Sequence, residues 1–360
     1  MTTDPASPGP HVDTDATSAD DPGGHATTVR DVGEDGVLAV LLPELPVGDR
    51  TLVGPGDDCA VVASSDPRLV VSADMLLEGH HFRTDWGTGI DVGRRAAAQN
   101  LADVAAMGAD PLALVVSLGL PGDTPLARVR DLARGLALAC GPIGVGVVGG
   151  DLTASERLVI SVAVHGDLRG GEPVLRSGAR PGDVLAHAGV LGRAAAGYAL
   201  LSAGRTGGDG TDALVAAFLS PDPPIALGPV AREAGATAMI DVSDGLLRDA
   251  GRIARASGVV VDVDSRAAGE ADLDALGPVA AELGNDPMEW VLRGGEDHGL
   301  LATFPAGAPL PEGFRAIGRV RALDDVSGIE APTPTVDGLG ASVLLDSGPV
   351  GGIGGWDHFV

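Results

Sequence analysis

The sequence predicts a mixed α/β protein built as two lobes, and three observations carry that expectation. Its 360 residues exceed one typical domain. Short apolar runs alternate with stretches of helical period, the pattern of sheets covered by helices. A breaker cluster, Gly170-Gly171-Glu172-Pro173, interrupts the alternation near mid-chain. The expected division is a tail over residues 1–28, a first lobe over 29–170 and a second α/β lobe over 171–360.

The tail is rich in Asp, Thr, Pro, Gly and Ala without hydrophobic period, which reads as disordered and acidic. Order should begin near Gly36, where Val37, Leu38 and Leu41 have helical spacing, followed by turn-rich residues 46–58. Residues 69–73 read as a strand, 92–107 as a helix ended by Gly108, 113–120 as a strand, and 126–139 as a helix. Strands at 145–148 and 158–164 complete the first lobe. In the second lobe, 184–186 reads as a strand and 193–201 as a helix, with a loop-bounded hinge at 204–210 and 221–224. Met239 and Ile240 end a strand. Leu246, Leu247, Ala250, Ile253 and Ala254 form a helical stripe stopped by Gly258, and 259–263 is the next strand.

Composition excludes several functions. The net charge is −26, and all 24 cationic residues are Arg, so there is no Walker, Schiff-base or kinase-type lysine. Such acidity disfavours nucleic acid and anionic membrane. No run of eighteen apolar residues and no basic-then-apolar leader is seen, so a cytoplasmic, non-membrane protein is expected. Cys59 and Cys140 make neither a disulfide framework nor a zinc site.

The aspartates carry the chemistry. Asp57-Asp58 follow a Pro-Gly turn, Asp74 follows the run 69–73, Asp151 follows 145–148 through two glycines, and Asp241 and Asp244 follow Ile240. In the first-lobe helix Asp103 shares a face with Ala96, Asn100 and Met107, a position that calls for a partner. Two carboxylates ~4 Å apart repel by about 4 kcal/mol at an effective dielectric near 20, a cost that a divalent cation removes. Oxygen ligands without His or Cys point to Mg²⁺ or Ca²⁺, and a site that borrows phosphate oxygens is the Mg²⁺ manner. Taken singly, each feature has a plainer reading. Asp241 and Ser243 fit as caps for a helix starting near Gly245, Asp57-Asp58 and Gly294-Gly295-Glu296-Asp297 as turns, and Gly149-Gly150-Asp151 as a weak glycine signal. His81 fits a surface or core histidine, Arg176 a solvated group, and Trp356 a staple for the C-terminus.

The ordered set of motifs resembles the thiamine-monophosphate kinase family, within the superfamily of aminoimidazole-ribonucleotide synthetase and selenophosphate synthetase. Its carriers are Gly56-Asp57-Asp58-Cys59-Ala60, Ser72-Ala73-Asp74-Met75-Leu76 with His81-Phe82, and the helix residues 100–109 beginning Asn100-Leu101-Ala102-Asp103. Gly149-Gly150-Asp151, Arg176-Ser177-Gly178-Ala179, Asp241-Val242-Ser243-Asp244-Gly245-Leu246, Gly294-Gly295-Glu296-Asp297 and Gly355-Trp356-Asp357-His358-Phe359 follow in the family's order. The resemblance spans about residues 30–360. It implies a homodimer whose N-terminal mixed sheets pair, with ATP and thiamine monophosphate bound between the lobes.

Carried over, Asp58, Ser72, Asp74, Asp103, Asp151, Asp241 and Asp244 match magnesium positions, with Asp74, Asp103 and Asp151 as the catalytic set. Gly150, Arg176 and Ser243 match ATP contacts, and His81, Glu296 and Trp356 match thiamine monophosphate contacts. Ala73 departs from the Thr of many members, so no hydroxyl ligand is available there. The implied reaction is direct in-line transfer of the γ-phosphoryl group to the substrate phosphate, giving thiamine diphosphate. Two rivals remain: a synthetase of the superfamily, and a non-catalytic metal- or nucleotide-binding module. The missing lysine and the absence of any cysteine before Cys59 speak against selenophosphate synthesis, and the ending His358-Phe359-Val360 against a hydrogenase-maturation relative, which should end in cysteine.

Overall fold

The computed structural model describes residues 26–205, 210–326, 342–350 and 354–355. The expected tail therefore lies almost wholly outside the described residues. The first helix, α1 (Val29–Leu41), starts earlier than the apolar spacing at Val37 suggests. Thr28 explains the difference: its N–H and hydroxyl both donate to Asp31 Oδ2, at 2.9 and 2.7 Å, and close the first turn.

The N-terminal lobe carries a small antiparallel ribbon, β1 (Thr51–Val53) and β2 (Val61–Val62), beside a four-stranded sheet. That sheet contains β3 (Val70–Leu77), β4 (Asp110–Leu120), β5 (Gly146–Ala154) and β6 (Val159–Asp167), in the order β3-β6-β4-β5. The β4–β5 pair is parallel, and the β3–β6 and β4–β6 pairs are antiparallel. Helices α2 (Gly89–Ala106) and α3 (Leu126–Cys140) cover one face, burying Leu76, Leu114, Val116, Ile160 and Val162 against Ala97, Leu101 and Leu132. Glycines let the two helices touch: a Cβ on Gly93 would stand 2.1 Å from the Leu132 carbonyl oxygen, and one on Gly135 2.2 Å from that of Ile90. The opposite face stays open at its β3 edge, where Val71 and Met75 are 60% and 57% exposed.

Strands β3, β5 and, in the second lobe, β8 (Ala238–Val242) run longer than the sequence reading allows. Asp74, Asp151 and Asp241 therefore lie inside strands instead of following them. A polar residue at every second position reads as a strand end, yet the pleat sends it to the other face or to a partner without ending the strand.

The C-terminal lobe is a seven-stranded sheet of β7 (Val184–Ala188), β8 (Ala238–Val242), β9 (Val260–Val263), β10 (Gly299–Phe304), β11 (Phe314–Arg321), β12 (Val343–Leu345) and β13 (Gly348–Pro349). Its order is β13-β12-β9-β11-β7-β10-β8, antiparallel except for the β9–β12 pair. The helices are α4 (Arg193–Ser202), α5 (Thr211–Leu219), α6 (Leu227–Glu233), α7 (Leu246–Ser257), α8 (Ser265–Gly269), α9 (Leu273–Leu283) and α10 (Pro287–Arg293). The Leu246–Ala254 stripe packs on the sheet, and Gly258 ends α7 in the left-handed conformation, as its sequence predicts.

Helix α2 joins the lobes. Its last residues, Ala105 and Ala106, pack with Met239, Ala302 and Phe304 of the C-terminal sheet. Arg232 of α6 donates to the carbonyls of Gly108 and Leu168, at 2.7 and 2.8 Å, and pins the connecting segment. Among the described residues no helix is long and apolar enough to cross a membrane.

Candidate active site

The polar face of α2 meets the edge strand β3. The Ser72 hydroxyl donates to Asp103 Oδ2 at 2.6 Å, and the Asp74 N–H donates to Asn100 Oδ1 at 3.2 Å. Fully buried Asn100 is held in turn by its own donation to the Ala96 carbonyl at 2.9 Å. Asp103 thus has the partner that its helix face requires.

Across the lobe boundary stands Asp241 of β8, buried and 3.2 Å through Oδ2 from His298 Nδ1. Burial, then the charge of Asp241, pushes Asp103 up to about 6, against the lowering effect of the Ser72 hydroxyl. Burial also raises Asp74, opposed by the charge of His298 and reinforced by Asp241. Burial alone would lower His298, but its bond to Asp241 and the charge of Glu296 raise it overall. Carboxylates from both lobes therefore feel one another at the junction.

Two cavities open beside this cluster. One, of about 560 Å³, is lined by Ser72 and Asp103 from the first lobe, Arg176 from the connecting segment, and Met239, Ile240 and Asp241 from the second. The other, of about 390 Å³, is lined by His81, Arg95, Tyr198, Phe218, Trp290 and Glu296. His81 accepts the Leu77 N–H at Nδ1, 3.0 Å away. Glu296 takes φ 73° after two glycines, and its N–H donates to the Ser243 carbonyl at 2.8 Å. A Cβ on Gly295 would stand 2.2 Å from that same carbonyl, so the Gly-Gly pair lets the loop close on β8. The next residue, Asp297, is buried and accepts from the N–H groups of Gly192 and Ala194, at 2.6 and 2.7 Å, which caps α4 from outside the helix. Trp356 lies outside the described residues; Gly355 before it lines the second cavity.

The structure does not gather every expected residue. Asp244 pairs with Arg252, which also reaches Asp249 at 2.5 Å. Asp58 and Asp151 are exposed. Asp151 sits on β5, at the other edge of the sheet from β3 and three strand spacings away, about 14 Å. Register pairs Asp74 with Val162, Val162 with Val116, and Val116 with Gly150, so Gly150 shares the face of Asp74 and Asp151 points to the open one. Asp241 and Ser243 do not cap α7: its N-cap is Gly245, with no side-chain bond. Sequence reasoning missed Gln99, Asn100 as a direct partner, Arg95, His298 and the aromatic group Trp86, Tyr198 and Phe218.

The donor set suits a magnesium ion. Ser72, Asp74, Asp103 and Asp241 offer oxygens only, and burial together with the charge of Asp241 disfavours the ionised form of Asp103, an effect that a bound cation would offset. Among the described residues no three His, Cys, Asp or Glu side chains close into a full ligand cage. Magnesium does not need one, because it keeps waters and takes phosphate oxygens.

The two lobes match the two domains of the AIR synthase related proteins. The family's N-terminal domain matches residues 56–168 and its C-terminal domain residues 180–305. The thiamine-monophosphate kinase of Mycobacterium tuberculosis is 47% identical over 92% of this chain and 93% of its own length. That of Corynebacterium glutamicum is 42% identical over 85% and 92%. Among solved structures, AaThiL complexed with AMPPCP and TMP superposes with a TM-score of 0.71, at 31% identity over 92% of this chain and 98% of that one. Hydrogenase maturation protein HypE, at 18% identity and a TM-score of 0.68, shares the fold. The chain belongs to the thiamine-monophosphate kinase family.

Proposed function

We propose that this enzyme transfers the γ-phosphoryl group of ATP to thiamine monophosphate, yielding thiamine diphosphate and ADP. The observation that carries the reading is the pair of cavities flanking one carboxylate cluster at the lobe junction. ATP occupies the cleft of Ser72, Asp103, Arg176 and Asp241, and the thiamine moiety occupies the cavity of His81 and Glu296. Trp356 and Ser243 are assigned to substrate and to ATP on family position alone.

Ser72, Asp74, Asp103 and Asp241 would hold Mg²⁺, which supplies charge neutralisation for the phosphate oxygens. Asp244, which pairs with Arg252 in this structure, would join them on leaving that pair. A phosphate monoester is already largely ionised near neutral pH, so the protein needs no strong base and acts by orientation. Arg176 contributes a guanidinium to the nucleotide side. Glu296 and His81 hold the acceptor from its ring end, which leaves its phosphate turned toward the cluster.

We extend the proposal to a homodimer that pairs the open faces of the N-terminal sheets. Val71 and Met75 support it as apolar side chains exposed on that face. Asp58, Gly150 and Asp151 belong to this side of the lobe or its far edge, and the proposal keeps them as metal and ATP residues of the assembled enzyme, at work in the cytoplasm. The two lobes, 29–170 and 171–360, are the units that close on the substrates.

The test incubates purified protein with ATP, Mg²⁺ and either thiamine monophosphate or thiamine, and resolves the products by chromatography. Thiamine diphosphate and ADP arising only from the monophosphate, and lost with EDTA, is the expected result. No product from either acceptor overturns the reading. Sedimentation at increasing concentration tests the dimer, which a single monomer species would refute.

A further inference from the structure

We infer that Arg95 is a positioning residue for recognition of the thiamine moiety, acting from the other lobe through Glu296. This rests on the reading of Glu296 as a contact of that moiety. Arg95 belongs to α2 of the N-terminal lobe, yet both of its outer nitrogens are spent on the C-terminal lobe. One forms an ion pair with Glu296 Oε2, and the other donates to the Phe218 carbonyl at the end of α5. The guanidinium carbon also lies 4.6 Å from the Phe218 ring centroid. Arg95 is 2% exposed, and it lines the same cavity as Glu296 and Phe218.

Most buried polar side-chain atoms have a hydrogen-bond partner. The Nε of Arg95 has no partner among the described residues, so the planar fork is aimed at the cost of one hydrogen bond. The aim fixes two walls of the cavity. Glu296 stands at positive φ between Gly295 and Asp297, and among the described residues the hydrogen bond to its carboxylate comes from Arg95. His298 Nε2 is 3.9 Å from the same oxygen, beyond hydrogen-bond distance. Phe218 in turn packs edge-on against Trp86, with ring centroids 6.0 Å apart, and at a tilt against Tyr198, at 5.4 Å. Arg95 therefore sets both the acceptor and the aromatic wall met by a cationic, amino-bearing ring system.

The test is a double-mutant cycle with steady-state kinetics for both substrates. Arg95→Met should raise KM for thiamine monophosphate about 10- to 100-fold, the scale of a misplaced contact, with KM for ATP within about twofold. Arg95→Lys keeps the charge but reaches one partner, and should fall between. In a Glu296→Gln background Arg95→Met should add little, because the group it positions is already altered. A folded Arg95→Met enzyme with wild-type KM for thiamine monophosphate, or with both KM values raised together, overturns the inference. So do fully additive effects in the cycle. If Arg95→Met does not fold, Arg95→Lys with unchanged KM for thiamine monophosphate does the same. Glu296→Gln without effect on that KM would instead overturn the reading of Glu296, and this inference with it.

Discussion

Replacing Asp103 by Asn should destroy activity while making the metal-free protein more stable. Asp103 lies half-buried among Ser72, Asp74 and Asp241, and its ionisation rises from the ordinary 3.8 to about 6. Above pH 6 the folded protein must carry a charge that burial and its neighbours oppose, whereas the unfolded chain carries it in water. At about 1.4 kcal/mol per pH unit the cost approaches about 3 kcal/mol. It is absent below pH 4, where both states are protonated, grows between pH 4 and 6, and is complete above. Asn removes the charge and can still accept the Ser72 hydroxyl through Oδ1. Urea unfolding in EDTA at pH 8 should show a gain for Asp103→Asn of up to about 3 kcal/mol, shrinking toward zero at pH 4. Magnesium should stabilise the wild type more than the variant. Turnover should fall at least about 100-fold, as for loss of a transition-state contact worth about 3 kcal/mol. A variant less stable than wild type at pH 8 in EDTA, or a gain equal at both pH values, would refute the reasoning.

Asp297→Ala strips the outside cap of α4 and leaves two buried N–H groups unmet, for about 2–5 kcal/mol by urea unfolding. Because burial pushes Asp297 up to about 7, the folded protein bears an unfavourable buried charge at pH 8, so the loss should be larger at pH 5 than at pH 8, and an unchanged midpoint at pH 5 would show that the cap is dispensable. His187 is fully buried, and burial and then Arg315 hold its ionisation well below 6.5, so the folded state binds fewer protons than the unfolded one. Wild-type stability should therefore fall as pH drops below about 6.5, by up to about 1.4 kcal/mol per unit, and His187→Leu should flatten that slope in a pH series of thermal melts. Gly150→Ala places a Cβ 1.8 Å from the Val116 carbonyl oxygen and should cost about 1–3 kcal/mol as β5 is forced off β4, whereas unaltered stability would contradict the strand register.

The parts of the fold legible in the sequence are those set by local pattern. The helix with Asp103 on its polar face, the stripe ended by Gly258 and the cores of β3 to β9 follow from period and punctuation, whereas β10 and β11 have no counterpart in the sequence reading. Residues 264–293 carried no helix in the sequence reading, although α8, α9 and α10 occupy them; the short α8 and the Pro278 inside α9 blur the period there. At the site, Asp103, Glu296 and Arg176 were legible because a motif or helix face singled them out. Arg95 and His298 were not. A charged side chain reads as solvent-facing until a partner is known, and theirs stand 201 and 57 residues away along the chain. Asp151 shows the converse. Its motif is plain in sequence, but the face it occupies depends on strand register, which no local pattern states.

The charge of the chain poses a final question, because a protein of −26 must accept a polyphosphate. Its arginines at the junction are mostly committed to its own carboxylates. Arg68 pairs with Asp66 and Glu172, Arg252 with Asp244 and Asp249, and Arg95 with Glu296. Arg176 is exposed in the cleft of Ser72, Asp103 and Asp241 and makes no ion pair among the described residues. One guanidinium cannot balance several phosphate charges beside Asp74, Asp103 and Asp241. On the proposed reading the remaining charge would arrive with the nucleotide as divalent cation, and the same carboxylates that repel free ATP would attract its metal complex. An acidic, lysine-free surface is on this account compatible with a kinase, and it makes nucleotide binding conditional on the metal.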